Sequence, residues 1–301
     1  MQLPLKGIIP PMITPLLNYD KLDNQGLENI VEYLISGGVH GLFILGTNGE
    51  GPSLSYKIRK ELIKKTCELV DHRIPVLVGI TDTSIEGSLD IAESSEKSGA
   101  DAVVIAPPYY FPLVEEEVDT YFETLTSRLG LPFLLYNIPS HTKINISLES
   151  VKKMKEKGAL GIKDSSGDMM NLYTLIDEFK DSPEFSIIAG TELFLPETIM
   201  NGGHGAVAGG ANLFPELFVK LYEASLIKDL KTISQLREKV ILLYSTIYNV
   251  GKNATKYTLG AKCGLSVKGI CNDYMAPPNK KFNSEQRKQI EKHLEDINKL
   301  S

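Results

Sequence analysis

Residues 158–168 read "GALGIKDSSGD". An apolar run from Ala159 to Ile162 ends on Lys163 and Asp164, ahead of a Ser-Ser-Gly-Asp turn. Consecutive rather than alternating apolar positions suit a parallel strand covered on both faces. A lysine closing such a strand must point to solvent, be ion-paired or be neutral, because taking an ammonium out of water is expensive. Asp164 is a poor partner for it, since successive strand side chains leave on opposite faces.

Seven more runs of the same kind occur: "GIIPP" from Gly7, "GLFILG" from Gly41, "IPVLVGI" from Ile74, "DAVVIAPP" from Asp101, "LPFLLYN" from Leu131, "FSIIAG" from Phe185 and "HGAVAGG" from His204. Amphipathic segments separate them. "DNQGLENIVEYLISGG" sets Leu27, Ile30, Val31 and Leu34 on one helical face and stops at Gly-Gly. "EEEVDTYFETLTSRLG" begins acidic and ends basic, as the helix dipole favours. Strand alternating with helix eight times predicts a (β/α)8 TIM barrel. An open doubly wound sheet is the competing arrangement, weakened by the lack of a GxGxxG turn after the first run. Beyond the eighth run no strand pattern appears. "DLKTISQLREKVILLYSTIYN", with a wide apolar stripe, "NATKYTLGAKCG" and "SEQRKQIEKHLEDINKL" read as helices. The expected division is a barrel carrying the active site over residues 1–226 and a helical region packed on it over 227–301.

The charge balance narrows the function. The chain carries a net charge of −6 without a dominant basic block, which speaks against a nucleic-acid partner. No run of about 18 apolar residues is present to cross a membrane, and the first residues lack the pattern of a signal peptide. Cys67, Cys263 and Cys271 form no CxxC pair, so reduced thiols and a cytoplasmic location are expected. The histidines, at 40, 72, 141, 204 and 293, show no HxH or HxxxH spacing, and no metal is expected.

Chemistry in such a barrel sits at the C-terminal strand ends. Those positions carry "GTNGEG" from Gly46, "PPYYF" from Pro107, "YNIPSHT" from Tyr136, Lys163, "AGTE" from Ala189 and "GAVAGGAN" from Gly205. Adjacent strands five and six thus present Tyr136 and Lys163. Starting from a pKa of about 10.4, only about one lysine in 2,500 is neutral at pH 7, so a nucleophilic lysine needs desolvation. A neutral amine condenses with a ketone to an imine, which acts as an electron sink. The accompanying proton transfers need a neighbouring acid–base group, and Tyr136 suits that role. Each feature has an ordinary reading: the lysine as an ion pair or solvated tip, the tyrosines as packing anchors, the glycines as turn geometry.

Together, "GTNGEG", "PPYY", "YNIPSHT" and "GIKDSSGD", in this order and at these separations, resemble the dihydrodipicolinate synthase / N-acetylneuraminate lyase family of pyruvate-dependent class I aldolases. The resemblance runs from about Leu5 through the helical tail. It implies that Lys163 forms an imine with C2 of pyruvate or a 2-keto acid, with no further cofactor, and that Tyr136 relays protons. It implies that Thr47 links Tyr136 to Tyr110, a tyrosine that in the family often reaches in from a neighbouring subunit of a homo-oligomer, tetramer or dimer. Asn48 stands where a second threonine normally helps bind the pyruvate carboxylate, and its amide N–H is a substitute donor. Gly190, Val207 and Gly209 match positions lining the pyruvate pocket, and "GTELF" keeps Glu192 of the lyases' GYDE turn.

His141 stands where the synthases carry an arginine that grips the carboxylate of aspartate semialdehyde. An imidazole cannot offer that permanently charged fork. The five arginines, Arg59, Arg73, Arg128, Arg237 and Arg287, are expected away from the strand tops. The implied function is condensation of pyruvate with an aldehyde, or cleavage of a 2-keto-3-deoxy acid to pyruvate and aldehyde. Dihydrodipicolinate synthase (4-hydroxy-tetrahydrodipicolinate synthase), N-acetylneuraminate lyase and a 2-keto-3-deoxy sugar acid aldolase or dehydratase all fit it. A non-catalytic pyruvate-binding relative is the alternative of another class, opposed by the joint presence of Lys163, Tyr136, Thr47 and Tyr110.

Overall fold

A computed structural model describes residues 2–300. Eight parallel strands form one sheet: β1 (Gly7–Ile8), β2 (Leu42–Ile44), β3 (Val76–Gly79), β4 (Ala102–Ile105), β5 (Phe133–Asn137), β6 (Ala159–Asp164), β7 (Ser186–Ala189) and β8 (Gly205–Ala206). Each coincides with one of the apolar runs. Their hydrogen-bonded order is β1–β8–β7–β6–β5–β4–β3–β2. A parallel bridge between Pro11 and Phe43 joins the chain after β1 to β2. The Met12 N–H donates to the Phe43 carbonyl at 2.8 Å there, and the Phe43 N–H to the Pro10 carbonyl at 3.0 Å. The sheet therefore closes on itself, leaving no edge pair of the kind an open sheet would have.

Eight helices alternate with the strands: α1 (Asn24–Ser36), α2 (Tyr56–Val70), α3 (Ile85–Lys97), α4 (Glu115–Thr126), α5 (Leu148–Glu156), α6 (Met169–Glu178), α7 (Leu195–Met200) and α8 (Pro215–Leu226). Side-chain oxygens of Asp23, Ser55, Ser84, Ser147 and Asp168 accept first-turn N–H groups at five of their starts. Asp168 is the last residue of "GALGIKDSSGD", so this one stretch holds a strand, the loop at its C-terminal end and the next helix cap.

The strands are apolar on both sides because two separate cores use them. Ile9, Phe43, Leu77, Val104, Leu134 and Ile188 fill the barrel interior. The other strand face packs against the helices, as with Leu27, Ile30, Val31 and Leu34 of α1.

Three further helices follow: α9 (Leu230–Ser245), α10 (Lys256–Val267) and α11 (Ser284–Lys299). α9 packs beside α8, and α10 lies over the turn that follows β8. The stripe on α9 is only partly used. Ile233, Val240 and Leu243 are buried, whereas Leu230 is 66% and Ile241 50% exposed. No helix among the described residues is long and apolar enough to cross a membrane.

Candidate active site

Lys163 pairs in register with Tyr136, and Asp164 with Asn137, at the ends of β6 and β5. Their side chains part as strand alternation requires. Asp164 faces away from the barrel interior and accepts from Asn137, Ser166 and Asn171. Lys163 points inward, with its ammonium nitrogen 3.4 Å from the centroid of the Tyr136 ring and 5.3 Å from that of Phe43. Below it lies a void of only about 10 Å3 with apolar walls, too small to hydrate a charge. Burial accordingly lowers the pKa of Lys163, with Tyr136 opposing the shift in part. Of the three fates open to a lysine here, the solvated tip and the ion pair with Asp164 are the two that this placement does not take.

Above Lys163 opens a cavity of about 620 Å3. Thr47, Asn48, Tyr136, His141, Lys163, Gly190, Glu192, Val207 and Gly209 all line it. Tyr110 does not: it is 75% exposed and stacks edge-on against Phe111. Within one chain, then, the expected link from Tyr136 through Thr47 to Tyr110 is not assembled.

The turn after β2 holds Thr47 and Asn48 by an unusual backbone. Leu45 and Glu50 both adopt φ of +58°, a left-handed conformation that costs non-glycine residues about 1–2 kcal/mol. Glu50 is the anchor that offsets this. Its carboxylate, 5% exposed, accepts from the Lys262 ammonium at 2.5 Å and from the Ala276 N–H at 2.8 Å. Lys262 is fully buried in α10. Gly190 is required for space, because a Cβ there would fall 1.8 Å from the Ser165 hydroxyl, another cavity-lining group.

Glu192 is another buried ionisable group of the wall. Burial pushes its carboxyl up to about 7, against the stabilising N–H groups of Gly209 and Gly210 and the Tyr248 hydroxyl. Its Oε2 accepts from the Gly210 N–H at 2.7 Å. His141 sits on the short helix Pro139–Thr142. Burial, then Lys143 and Lys163, lower its pKa, so the imidazole is neutral at physiological pH.

Lys163 is the only lysine or arginine among the cavity-lining residues. The arginines are committed elsewhere: Arg73 to Glu32, Arg128 to Glu86, Arg237 to Glu197 and Arg287 to Asp273. Arg59 departs from the expectation of remoteness. It lies in the first turn of α2, just after the β2 turn, and reaches the strand-top loops, but its guanidinium is spent on Asp82, Leu54 and Pro52.

Sequence reading missed part of the wall. Tyr244, Tyr248, Tyr257 and Asn279 reach the cavity from the C-terminal helices and their connections. The spacing of the tyrosines resembles ordinary core packing, and nothing local marks them or Asn279 as cavity-facing.

Among known proteins, the dihydrodipicolinate synthetase family profile matches residues 4–297. The structure of dihydrodipicolinate synthase from Bacteroides thetaiotaomicron superposes with a TM-score of 0.96 at 47% identity, covering 98% of this chain and 100% of that one. Escherichia coli K12 YagE, crystallised in complex with pyruvate, superposes with a TM-score of 0.92 at 27% identity over 99% and 100% of the two chains. The E. coli K12 protein named "Probable 2-dehydro-3-deoxy-D-pentonate aldolase YjhH" is 33% identical over 240 residues, 79% of this chain and 80% of its own length. A match of that extent, on a closed barrel with a desolvated lysine at its mouth, makes the chain a member of the dihydrodipicolinate synthetase family and a carbon–carbon lyase.

Proposed function

We propose that the protein is a class I aldolase acting on a 2-keto-3-deoxy sugar acid, with pyruvate and a neutral hydroxyaldehyde as the other side of its equilibrium. The supporting observation is the charge inventory of the cavity: Lys163 is its one Lys or Arg, and His141 is held neutral. Once Lys163 is consumed as an imine, no fixed positive charge lines the wall to receive a second carboxylate. Neutral donors and acceptors remain, among them Asn48, Ser140, Thr255, Tyr257 and Asn279. Such a wall suits hydroxyl groups.

In cleavage, the Lys163 amine attacks the C2 carbonyl of the keto acid, and Tyr136 gives its phenolic proton to the hydroxyl that leaves as water, so that a protonated imine and a Tyr136 phenolate remain. Tyr136 takes the proton of the C4 hydroxyl as the C3–C4 bond breaks, and its electron pair flows into the imine. Aldehyde departs, C3 of the enamine is protonated, and water hydrolyses the imine to pyruvate and free lysine. These steps need no cofactor beyond the imine itself. The reduced thiols suit a cytoplasmic enzyme. Exposed Tyr110 suits a homo-oligomer in which one subunit completes the site of another.

A synthase acting on aspartate semialdehyde is the second reading, favoured by the similarity to the Bacteroides thetaiotaomicron protein. The deciding measurement is kcat/KM with pyruvate and glyceraldehyde, glycolaldehyde or aspartate semialdehyde, for the parent and His141→Arg at pH 8. The parent should favour a hydroxyaldehyde, and arginine should raise aspartate semialdehyde turnover at least about tenfold, the worth of one charged hydrogen bond of about 1.5–3 kcal/mol. A parent value for aspartate semialdehyde of about 10⁴–10⁶ M⁻¹s⁻¹, with no gain from arginine, would establish the synthase reading instead.

A further inference from the structure

Asp164 is an ionisable group at the end of β6 for which the cleavage steps have no use. It is 4% exposed and turned away from the cavity. Its Oδ1 accepts from Nδ2 of Asn137 at 2.7 Å and from Nδ2 of Asn171 at 3.2 Å, and its Oδ2 from the Ser166 hydroxyl at 2.7 Å. None of these partners carries a charge. The Asn137 amide is fixed in orientation. Its Oδ1 accepts the Ile146 N–H at 3.0 Å, so its own N–H groups face Asp164 and Asn145, each at 2.7 Å. The Ser166 hydroxyl accepts the Asp168 N–H at 3.1 Å and gives its proton to Asp164. A shell of donors fits a carboxylate and offers no acceptor to a carboxylic acid proton. Burial raises the pKa of Asp164, and these hydrogen bonds oppose the rise.

This shell stands directly behind the reactive pair. Asn137 follows Tyr136, Asp164 follows Lys163, and both couples are in register, so one side-chain hydrogen bond ties together the strand ends that carry the phenol and the amine. The backbone repeats the tie. The Ser165 N–H donates to the Asn137 carbonyl at 2.8 Å, and the Gly190 N–H, from the cavity wall, to the Asp164 carbonyl at 2.6 Å. A clamp alone needs only neutral amides, which cost far less to bury than a carboxylate. The charge has a further effect. Lys163 feels the Tyr136 phenol from β5, His141 from the short helix after it and Asp164 from its own strand, and Asp164 favours its cationic form. The amine attacks as a neutral group, but the imine it becomes carries a positive charge in a site that excludes water.

We propose that Asp164, locked by Asn137, Ser166 and Asn171, is a positioning residue of the active site whose ionised carboxylate is the counter-charge to the protonated imine on Lys163. It touches no substrate and acts through Lys163. The assignment rests on the imine-forming role of Lys163, and the test separates the two.

The test titrates the Lys163 amine by competitive labelling with acetic anhydride, mapped by mass spectrometry, in the parent, Asp164→Asn and Asp164→Ser. Asparagine keeps the shape, and serine leaves room for a water should the amide disturb the fold. Loss of the charge should move the Lys163 midpoint down by on the order of one pH unit, as for two charges on adjacent residues at an effective dielectric of about 20. A purely structural role predicts the opposite sign, because a loosened site admits water and lets the midpoint climb toward about 10.4. An unchanged or raised midpoint would therefore overturn the counter-charge. The parent gives a second readout that needs no variant. Infrared spectra with carboxyl-labelled aspartate at neutral pH should show only ionised aspartates, and a protonated one would also overturn it. Borohydride with pyruvate tests the underlying reading. An adduct on Lys163 beside an unmoved midpoint would sink the counter-charge alone, whereas no adduct on Lys163 would sink both.

Discussion

The proposed role of Lys163 depends on what surrounds it. The apolar floor formed by Phe43, Leu77, Val104 and Ile188 removes water, and Tyr136 lies across the amine. Tyr136 also packs edge-on against Phe43, at 6.2 Å between centroids, so its ring is part of the interior core while its hydroxyl meets the Lys163 amine. Tyr136→Phe keeps the ring and deletes the acid–base group. Turnover should drop by about 10²–10⁴-fold, the usual contribution of such a group, while the melting temperature stays close to the parent's. Calorimetry and steady-state assays on the same preparation check this; near-parental turnover would remove Tyr136 from the proton relay. Both residues were legible in the amino-acid sequence, because each closes a run of consecutive apolar residues. The lowered pKa of Lys163 was inferable only as a requirement. Its cause, a dry floor assembled from the interior faces of other strands, is a property of the closed barrel.

Among the elements, the β2 turn and α10 depend on each other. The turn carries Thr47 and Asn48 into the cavity with two left-handed non-glycine residues, and the buried Glu50–Lys262 pair ties it to a helix 212 residues away in sequence. Removing one partner of a buried pair leaves the other charge without compensation, at a cost of about 3–5 kcal/mol. Lys262→Met should therefore melt several degrees lower and bind pyruvate more weakly, as the turn loses its hold. Glu50→Gln combined with Lys262→Met should recover part of the stability, because the Gln carbonyl still accepts from the Ala276 N–H and no lone charge remains. Thermal melts of both variants, with pyruvate titrations, give the comparison; equal stability of single and double variants would mean that the pair does not hold the turn. Sequence patterning placed both elements but could not pair them. Lys262 lies in a segment of small and apolar residues, where a lone lysine looks like a solvated position, and only packing shows it to be fully buried.

Across the whole molecule, the conspicuous unsatisfied feature is the β4 loop. Tyr110, Phe111 and Val114 are 75%, 71% and 64% exposed, next to a groove of about 560 Å3 that reaches Tyr121 and Thr124 on α4. Exposed aromatic residues in such a group mark contact surfaces. If a neighbouring subunit brings Tyr110 to the cavity, Tyr110→Ala should cut turnover while leaving the fold of each chain intact. Sedimentation velocity and circular dichroism, read beside the assay, test this; full activity in a monomeric variant would assign Tyr110 no part in catalysis.

The eightfold alternation of apolar run and amphipathic helix determined the barrel from sequence alone, because strand burial on both faces writes itself into consecutive residues. Strand order then placed Lys163 beside Tyr136, and the motifs at the strand tops identified most of the cavity wall. What the tertiary structure decided is everything that depends on residues far apart meeting. It brought the tyrosines of α9 and α10 over the barrel mouth, set Lys262 against Glu50, and spent Arg59 on Asp82. Local patterning records which face of an element is buried; it does not record what that face is buried against, and the charge and shape of the cavity follow from the second.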